Sequence, residues 1–398
     1  MQNAAFSLFF ILLGTVLTGQ NTFHKLYDHN SQFFYSNAIT PLSNGDLLLC
    51  NAADNTANAS VIALTNQGQL RWHKKYQPLL SYYELLESGN DFVALGYGKN
   101  PAGQASSAYG ALVNLAADGS FISGKKIQYG PDYTTISGLI NAPNGHILSG
   151  FSIKNAGSLY LGVAIITRVD TAGQLLWSKS YVSGYDFNDF QARLIVGNTI
   201  YACGNIRGNA CLVRIDLNTG DLIGVTALGG PFLEEFTSIA STPDGNLLLA
   251  GTTRSSTPEE NSRPWVVKMS PDGQIIWSKT YNLPGLESDC FLAKSEAGYF
   301  VLSISAHFVA IDENGVQLWA KNYAGGQTFE FEEVHSAPDG GFFSYSRLTT
   351  VTQTVLKTDA IGNVVNGCCP APVIFEVSSF NPPLFNYPLT VTDFALSF

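Results

Sequence analysis

The chain has 398 residues, of which 45% are hydrophobic and only 13% charged, with 38 Gly, 18 Tyr and 25 Phe. A formal net charge of −10 and a pI near 5.0 leave no basic surface to neutralise phosphates, which argues against a nucleic-acid partner and against attraction to anionic lipid. Abundant Gly and aromatic residues, with few helix formers, point to many short strands joined by tight turns.

From the N-terminus, Ala4 to Leu17 make an apolar run of about 14 residues, too short to span a bilayer comfortably and the right length for a signal-peptide core. Residues 1–19 are therefore expected to be a signal peptide, cleaved near Gly19 or Gln20, although Met1, Gln2 and Asn3 carry no positive charge. An uncleaved anchor is the alternative. No Cys follows the run to accept a lipid, and no later segment approaches membrane length. The mature chain is expected to be secreted, to the extracellular space, the cell surface or the periplasm, without membrane insertion after cleavage.

Next comes Phe23-His24-Lys25-Leu26-Tyr27, an F-x-K-x-Y segment with no preceding repeat of its own. Beyond it, a Gly-containing turn followed by a strand recurs at Gly68, Gly119, Gly173, Gly220, Gly273, Gly315 and Gly362, giving seven copies at a mean spacing of 49 residues. The fifth copy, Phe236 to Tyr281, shows the unit most clearly: TSIAST, the turn Pro243-Asp244-Gly245, NLLLAGTT, a polar loop, WVVKMS, the turn Pro271-Asp272-Gly273, and QIIWSKTY. Asp-Gly between apolar runs is a hairpin signal, because Gly supplies the positive φ the turn needs.

The second strand of each unit is apolar almost continuously, as in Leu47 to Cys50, Phe92 to Gly96 and Leu247 to Gly251, so both of its faces must be buried. Sheets arranged radially around an axis bury each other in this way and leave only short edges. The fourth strand carries W-x-K-x-Y in Trp72-Lys74-Tyr76, Trp177-Lys179-Tyr181, Trp277-Lys279-Tyr281 and Trp319-Lys321-Tyr323. Period-two spacing sets these three side chains on one face. Copies two and four lack the signature, with Gly124 and Gly224 read at the Trp position, and the seventh runs into Val364, Val365 and Asn366. The expected fold is all-β: a monomeric, seven-bladed propeller of four-stranded antiparallel blades over residues 21–367, its last blade closed by the Phe23–Tyr27 segment.

Each copy opens with an acidic and aromatic cluster: Tyr82-Tyr83-Glu84, Asp132-Tyr133, Asp186 to Asp189 and Phe190, Glu234-Glu235-Phe236, Glu287-Ser288-Asp289, and Phe329-Glu330-Phe331-Glu332-Glu333. After the crossing from an outer strand to the next inner one, these stretches should ring one mouth of the channel. Carboxylates beside aromatic faces suit a sugar or a cation, so a glycan or a surface protein is the expected partner. A feature repeated in every blade also fits simple packing and solvated loop.

The six cysteines are sparse for a disulfide-dependent fold. Cys203 and Cys211 flank the loop 204–210 and read equally as a cross-strand disulfide or as small buried thiols, while Cys368 and Cys369 stand beyond the last copy. The six His show no zinc spacing and D-x-D-x-D-G is absent, so neither metal nor cofactor is expected. Residues 368–398, with Pro-Ala-Pro, Asn381-Pro382-Pro383 and Tyr387-Pro388, read as a Pro-rich extended tail outside the ring.

Units ending in D-G-x-x-x-W-x-K-x-Y resemble the secreted bacterial propellers related to the quinoprotein-dehydrogenase-like and delta-60 type repeats, over Phe23 to about Gly367. Many relatives are parts of larger surface proteins with a C-terminal sorting module, which is not evident after Cys369. The resemblance implies shape more than chemistry. It raises a quinone-oxidoreductase reading through Asp216-Leu217-Asn218-Thr219-Gly220, a D-x-x-T-G match, and through Cys368-Cys369, which is similar to a vicinal disulfide of some quinoprotein dehydrogenases. Ser270-Pro271-Asp272-Gly273 with Trp277 is close to a sialidase box, with its Gly one position early. A non-catalytic binding or scaffold module is the expected function, and a quinone-dependent oxidoreductase or glycan hydrolase the alternative.

Overall fold

The computed structural model describes residues 22–28, 34–53, 59–76, 79–99, 108–127, 133–156, 159–182, 188–256, 261–282, 289–324, 330–347, 352–364, 371–385 and 390–393. The N-terminal apolar run, with its expected signal peptide, lies outside the described residues. All regular structure among the described residues is β, in seven antiparallel sheets. Six are consecutive four-strand meanders, blades 1 to 6, over 34–76, 79–127, 133–182, 188–228, 234–282 and 290–322. Blade 7 takes three strands from 331–358, and its outermost strand is Phe23–Asp28. That strand runs antiparallel to Thr352–Thr358 with Phe23 opposite Lys357 and Asp28 opposite Thr352. The chain thus forms the expected seven-bladed propeller, with its last blade closed from the N-terminus.

Alternation along the second strands shows what holds the blades together. In blade 1, Leu47 and Leu49 pack with Phe343, Tyr345 and Val355 of blade 7, whereas Leu48 and Cys50 pack with Tyr82, Leu85 and Ala94 of blade 2. Blade 5 does the same: Leu247 and Leu249 face Tyr201, Cys203 and Leu212 of blade 4, and Leu248 and Ala250 face Leu302 and Ile304 of blade 6. Every residue of Leu247–Thr253 is buried, and each such Leu contributes about 1.5–3 kcal/mol relative to exposure.

The W-x-K-x-Y face clamps the next blade's outer turn. The Tyr76 hydroxyl donates to Gly119 O at 2.7 Å, Tyr181 to Gly220 O at 2.7 Å, Tyr281 to Gly315 O at 2.9 Å and Tyr323 to Gly362 O at 2.7 Å. Lys279 Nζ donates to Asn314 O at 2.6 Å, and Trp277 Nε1 to Glu313 O at 3.2 Å. Gly315 is required twice over: its φ is +70°, and a Cβ there would lie 2.8 Å from the Trp277 ring. The ring closes with the same device, since Lys25 Nζ donates to Gln67 O at 2.6 Å and to Gly68 O at 3.1 Å.

The register corrects one reading of the repeat. Trp72 lies opposite Ala63, one pair before a bulge, and the equivalent pair in blade 2 is Asn114 with Ser123. Ser123, not Gly124, therefore stands at the Trp position, because the bulge fixes the count from the turn. Gly224, opposite Arg214, does stand there in blade 4.

Residues 371–385 and 390–393 run round the outside of the ring, against the order of the blades. Ala371–Pro372, Glu376–Ser379, Leu384–Phe385 and Thr390–Asp393 each add a fifth antiparallel strand, to blades 6, 5, 4 and 3 respectively. Phe375 is buried between blades 5 and 6, and Phe380 stands edge-on to Trp265 at 5.8 Å.

Candidate functional site

In six of the seven blades the inner strand carries a bulge that sets one residue at an equivalent position, and the unbulged strand of blade 6 has Phe291 opposite Ser303 there. The bulge pairs give Ala38 opposite Cys50, Glu84 opposite Leu95, Gly138 opposite Ser149, Ala192 opposite Cys203, Ser238 opposite Ala250 and Glu333 opposite Tyr345. Blades 1, 3 and 4 thus have only Ala or Gly at this position, while blades 2 and 7 have glutamates. Ala38 and the two glutamates border an axial cavity of about 500 Å³, also lined by Tyr83, Ser137, Arg193 and His335 among others.

Glu84 accepts a hydrogen bond from the Leu139 amide at 2.5 Å, and Arg193 Nη1 stands 4.0 Å from its Oε2. Arg193 reaches across blade 3 to do so, and Gly138 makes the passage: a Cβ there would lie 1.7 Å from Nη1. The guanidinium is oriented by a second bond, from Nη2 to Phe190 O at 2.8 Å. On the other side His335 Nε2 lies 2.9 Å from Glu333 Oε2. Desolvation in the recess pushes the Glu84 carboxyl up to about 7, and the Glu333 carboxylate adds to that; Arg193, the Leu139 amide and His335 pull it down. Tyr83 stands edge-on to Tyr97 at 6.1 Å and presents an aromatic wall. The result is a cavity with two carboxyl groups, one guanidinium, an imidazole and a phenol converging on the axis.

The acidic clusters foreseen at the mouth separate into several fates. Tyr83, Glu84 and Glu333 line the cavity. Glu332 is half-buried one residue earlier, at the bulge of blade 7, while Asp289 is exposed at the start of blade 6. Desolvation raises the pKa of Glu330, and Asp289 and Glu332 add to the shift. Glu235 is half-buried, with Asn205 Nδ2 donating to it at 3.5 Å.

Glu234 is not at the mouth surface. It is fully buried, accepting from Gly230 N at 3.0 Å and Thr253 Oγ1 at 3.3 Å, and it fastens the loop before its strand. Burial raises its pKa. Tyr133 and Asp189 fall in the inner strands Tyr133–Ala142 and Asn188–Val196, with side chains outside the described set. Asp132, Asp186, Glu287, Cys368 and Cys369 lie outside the described residues.

Of the two equal readings for Cys203 and Cys211, the register fits that of buried thiols. Cys211 lies opposite Gly204 and Cys203 opposite Leu212, so the two alternate across the blade. Cys203 joins the core between blades 4 and 5, and Cys211 that between blades 3 and 4, both as buried thiols. Both catalytic motif matches are outer hairpin turns. Asp216 Oδ1 accepts from the amides of Asn218 and Thr219 at 2.8 and 2.9 Å, and the Ser270 hydroxyl donates to Asp272 and accepts from Gln274 N at 3.0 Å. Among the described residues no group of three or more His, Cys, Asp or Glu is arranged to hold a metal ion.

Sequence reasoning missed Arg193 and Gly138, and considered His335 only as one of six His without zinc-ligand spacing. The signal available was Arg193 itself, a cation set between Ala192 and the apolar Leu194 to Val196 in an inner strand.

No family model and no curated protein matches the chain. Solved structures do: the Neurospora crassa Pan2 WD40 domain at 8% identity and TM-score 0.55, over 86% of this chain and 97% of that one. A chain of a mitotic checkpoint complex aligns at 10% identity and TM-score 0.55, over 90% and 99%, and virginiamycin B lyase from Staphylococcus aureus at 12% and 0.53, over 84% and 99%. At such identities the likeness is one of fold: this chain is a β-propeller.

Proposed function

We infer that the chain is a secreted, non-catalytic propeller of the kind found in bacterial surface repeat proteins, serving as a binding or scaffold module. Its axial cavity takes a hydroxyl-rich ligand, the end of a glycan. One observation carries this reading: Glu84 and Glu333, at equivalent bulge positions of blades 2 and 7, line one axial cavity together with Arg193, His335 and Tyr83, beside the small Ala38 of blade 1. Carboxylates accept from sugar hydroxyls, Arg193 donates, and Tyr83 offers an apolar face, the mixture of a few fixed polar groups and an aromatic wall that small-molecule sites use. Propellers similar in fold occur in assemblies such as the mitotic checkpoint complex, which fits a role in recognition.

The test is a glycan array with the purified protein, followed by calorimetry on any hit with the Glu84→Gln, Glu333→Gln double variant. Retention of a defined glycan by the parent and its loss in the variant are expected. Equal retention by both proteins, or none by the parent, refutes the reading.

A hydrolase is the second reading, favoured by the Glu84 carboxyl, which desolvation holds up at about 7 and which shares the cavity with Glu333. A protonated and an ionised carboxyl flanking a sugar are what glycoside hydrolysis requires. Release of free sugar from the retained glycan distinguishes it from binding alone.

A further inference from the structure

At the junction of blades 5 and 6, the tail segment 371–379 sets its one aromatic residue, Phe375, into the rim of the ring, where it is 3% exposed. Ala371 and Pro372 pair with Asn322 and Lys321 of blade 6, and Glu376–Ser379 with Asn282 to Lys279 of blade 5. Phe375 fills the cleft between, against Tyr281, Val309 and Ala320, with His307 edge-on at 5.6 Å.

The same cleft recurs between blades 1 and 2. There the pairs Ala111 with Lys126 and Val113 with Gly124 stand where blade 6 pairs His307 with Asn322 and Val309 with Ala320. Tyr76 of blade 1 stands where blade 5 has Tyr281. These residues bound an open groove of about 370 Å³. Ala111 in place of His307 and Gly124 in place of Ala320 remove side-chain bulk from its floor, while Tyr109, under Lys126, forms a wall.

Among the described residues the flanking outer strands, Leu70–Tyr76 and Phe121–Ile127, end their sheets without a fifth strand. Phe121 and Ile122 are 61% and 51% exposed beside the groove. The charge differs as well. Lys75 and Lys126 replace Thr280 and Asn322, and Lys125 matches Lys321, so three lysines line this groove on a chain of net charge −10.

We propose that the groove between blades 1 and 2 docks an extended acidic segment of a partner protein, which inserts one aromatic side chain and adds a fifth strand to blades 2 and 1. Such edge pairing takes affinity from main-chain bonds and specificity from the pocket and the facing charges. The tail supplies the template. Ala371 lies opposite Asn322 and Ser378 opposite Thr280, so the residues facing Lys126 and Lys75 fall four before and three after the aromatic one. Those two positions are where the partner carries carboxylates.

Fluorescence anisotropy with the purified full chain tests this with three labelled peptides: the sequence of residues 371–379, the same with Ala371→Asp and Ser378→Asp, and the acidic version with Phe375→Ala. The acidic peptide is expected to bind about tenfold more tightly than the first, the gain available from two facing opposite charges, and the third to show no binding. A Lys75→Glu, Lys126→Glu protein, altered only at exposed side chains and checked by its unchanged melt, is expected to lose that gain. Equal binding of the acidic peptide to this variant, or no binding to the parent, overturns the proposal. Binding that appears only after removal of residues 394–398 assigns the groove to the chain's own end, and self-association abolished by the lysine changes assigns it to a second copy; either result also overturns it.

Discussion

Removing residues 21–28 tests whether the N-terminal strand seals the ring. Phe23 is 6% exposed and packs at 6.5 Å from Phe343, and losing a buried Phe side chain costs about 3–5 kcal/mol. The antiparallel pairing of Phe23–Asp28 with blade 7 and the two bonds from Lys25 to Gln67 and Gly68 go with it, at about 1 kcal/mol net per bond. The loss totals about 8 kcal/mol, comparable with the entire stability of an ordinary domain. Unfolding entropy near 2.1 cal/mol/K per residue makes roughly 0.8 kcal/mol per degree for a ring of this size, so the melt should fall by roughly 10 °C. Calorimetry on chains beginning at residues 21 and 29 measures it, and a synthetic peptide of residues 21–28 should restore the melt of the shorter chain. Melts within about 2 °C of each other would refute the closure.

Gly138→Ala should evict the Arg193 guanidinium, whose Nη1 occupies the site of the new Cβ, and so lift the Glu84 carboxyl further above about 7. Carboxyl-selective NMR titration reads the shift, and an unchanged titration contradicts the pairing. Glu84 also makes stability depend on pH. Its folded pKa of about 7 lies above the ordinary 4.5, so the folded state holds the proton more tightly than the unfolded chain. Its stabilising contribution is full below about 4.5 and is lost as pH rises to about 7. Relative to the parent, Glu84→Gln should gain about 2 kcal/mol between pH 4 and pH 8, a value reduced for a side chain 30% exposed. Urea titrations at both pH values measure this, and a pH-independent difference counts against it. Phe375→Ala should cost about 3 kcal/mol and free the outer tail. Hydrogen exchange should then accelerate at Val373 to Phe380 while blades 1 and 2 keep their protection, and uniform exchange would argue against a separable tail.

The blades were legible in the sequence because each level of pattern has one physical cause. Continuous apolar runs such as Leu247 to Gly251 require cover on both faces, and turns such as Asp272-Gly273 fix the spacing. The F-x-K-x-Y segment was legible for the same reason, since Lys25 performs the clamp that Lys279 performs. What the pattern could not supply was which neighbour a side chain meets. Cys203 and Cys211 look like hairpin partners on the line, yet they are one pair out of register and so face different blades. Glu234 and Glu235 look alike, but the pleat buries one and half-exposes the other. Arg193 acquires its partner only through Gly138, from a blade whose sequence gives no hint of it. The strands of the tail were hidden too, because residues 371–385 lack the repeat and borrow their order from edges already built.

Departures from the repeat separate what holds the ring from what the ring holds. Where the clamp is degraded, part of its work survives: Lys125 of blade 2 still donates to Gly173 O at 3.1 Å, and Thr226 of blade 4 sits where a Cβ on Gly273 would meet it at 2.2 Å. The axial position behaves in the opposite way. Replacing a small residue there by Glu in blades 2 and 7 gains no packing, and a recessed carboxyl costs stability unless it is bonded or paired. The fold offsets that cost with the Leu139 amide, with Arg193 carried through the gap at Gly138, and with His335 on Glu333. Three blades contribute to supporting groups that packing alone would discard, and the hollow they surround is open to the axis. Such an arrangement is consistent with a ligand that offsets the cost on binding, which is why the axial cavity outranks the outer acidic clusters as the candidate site.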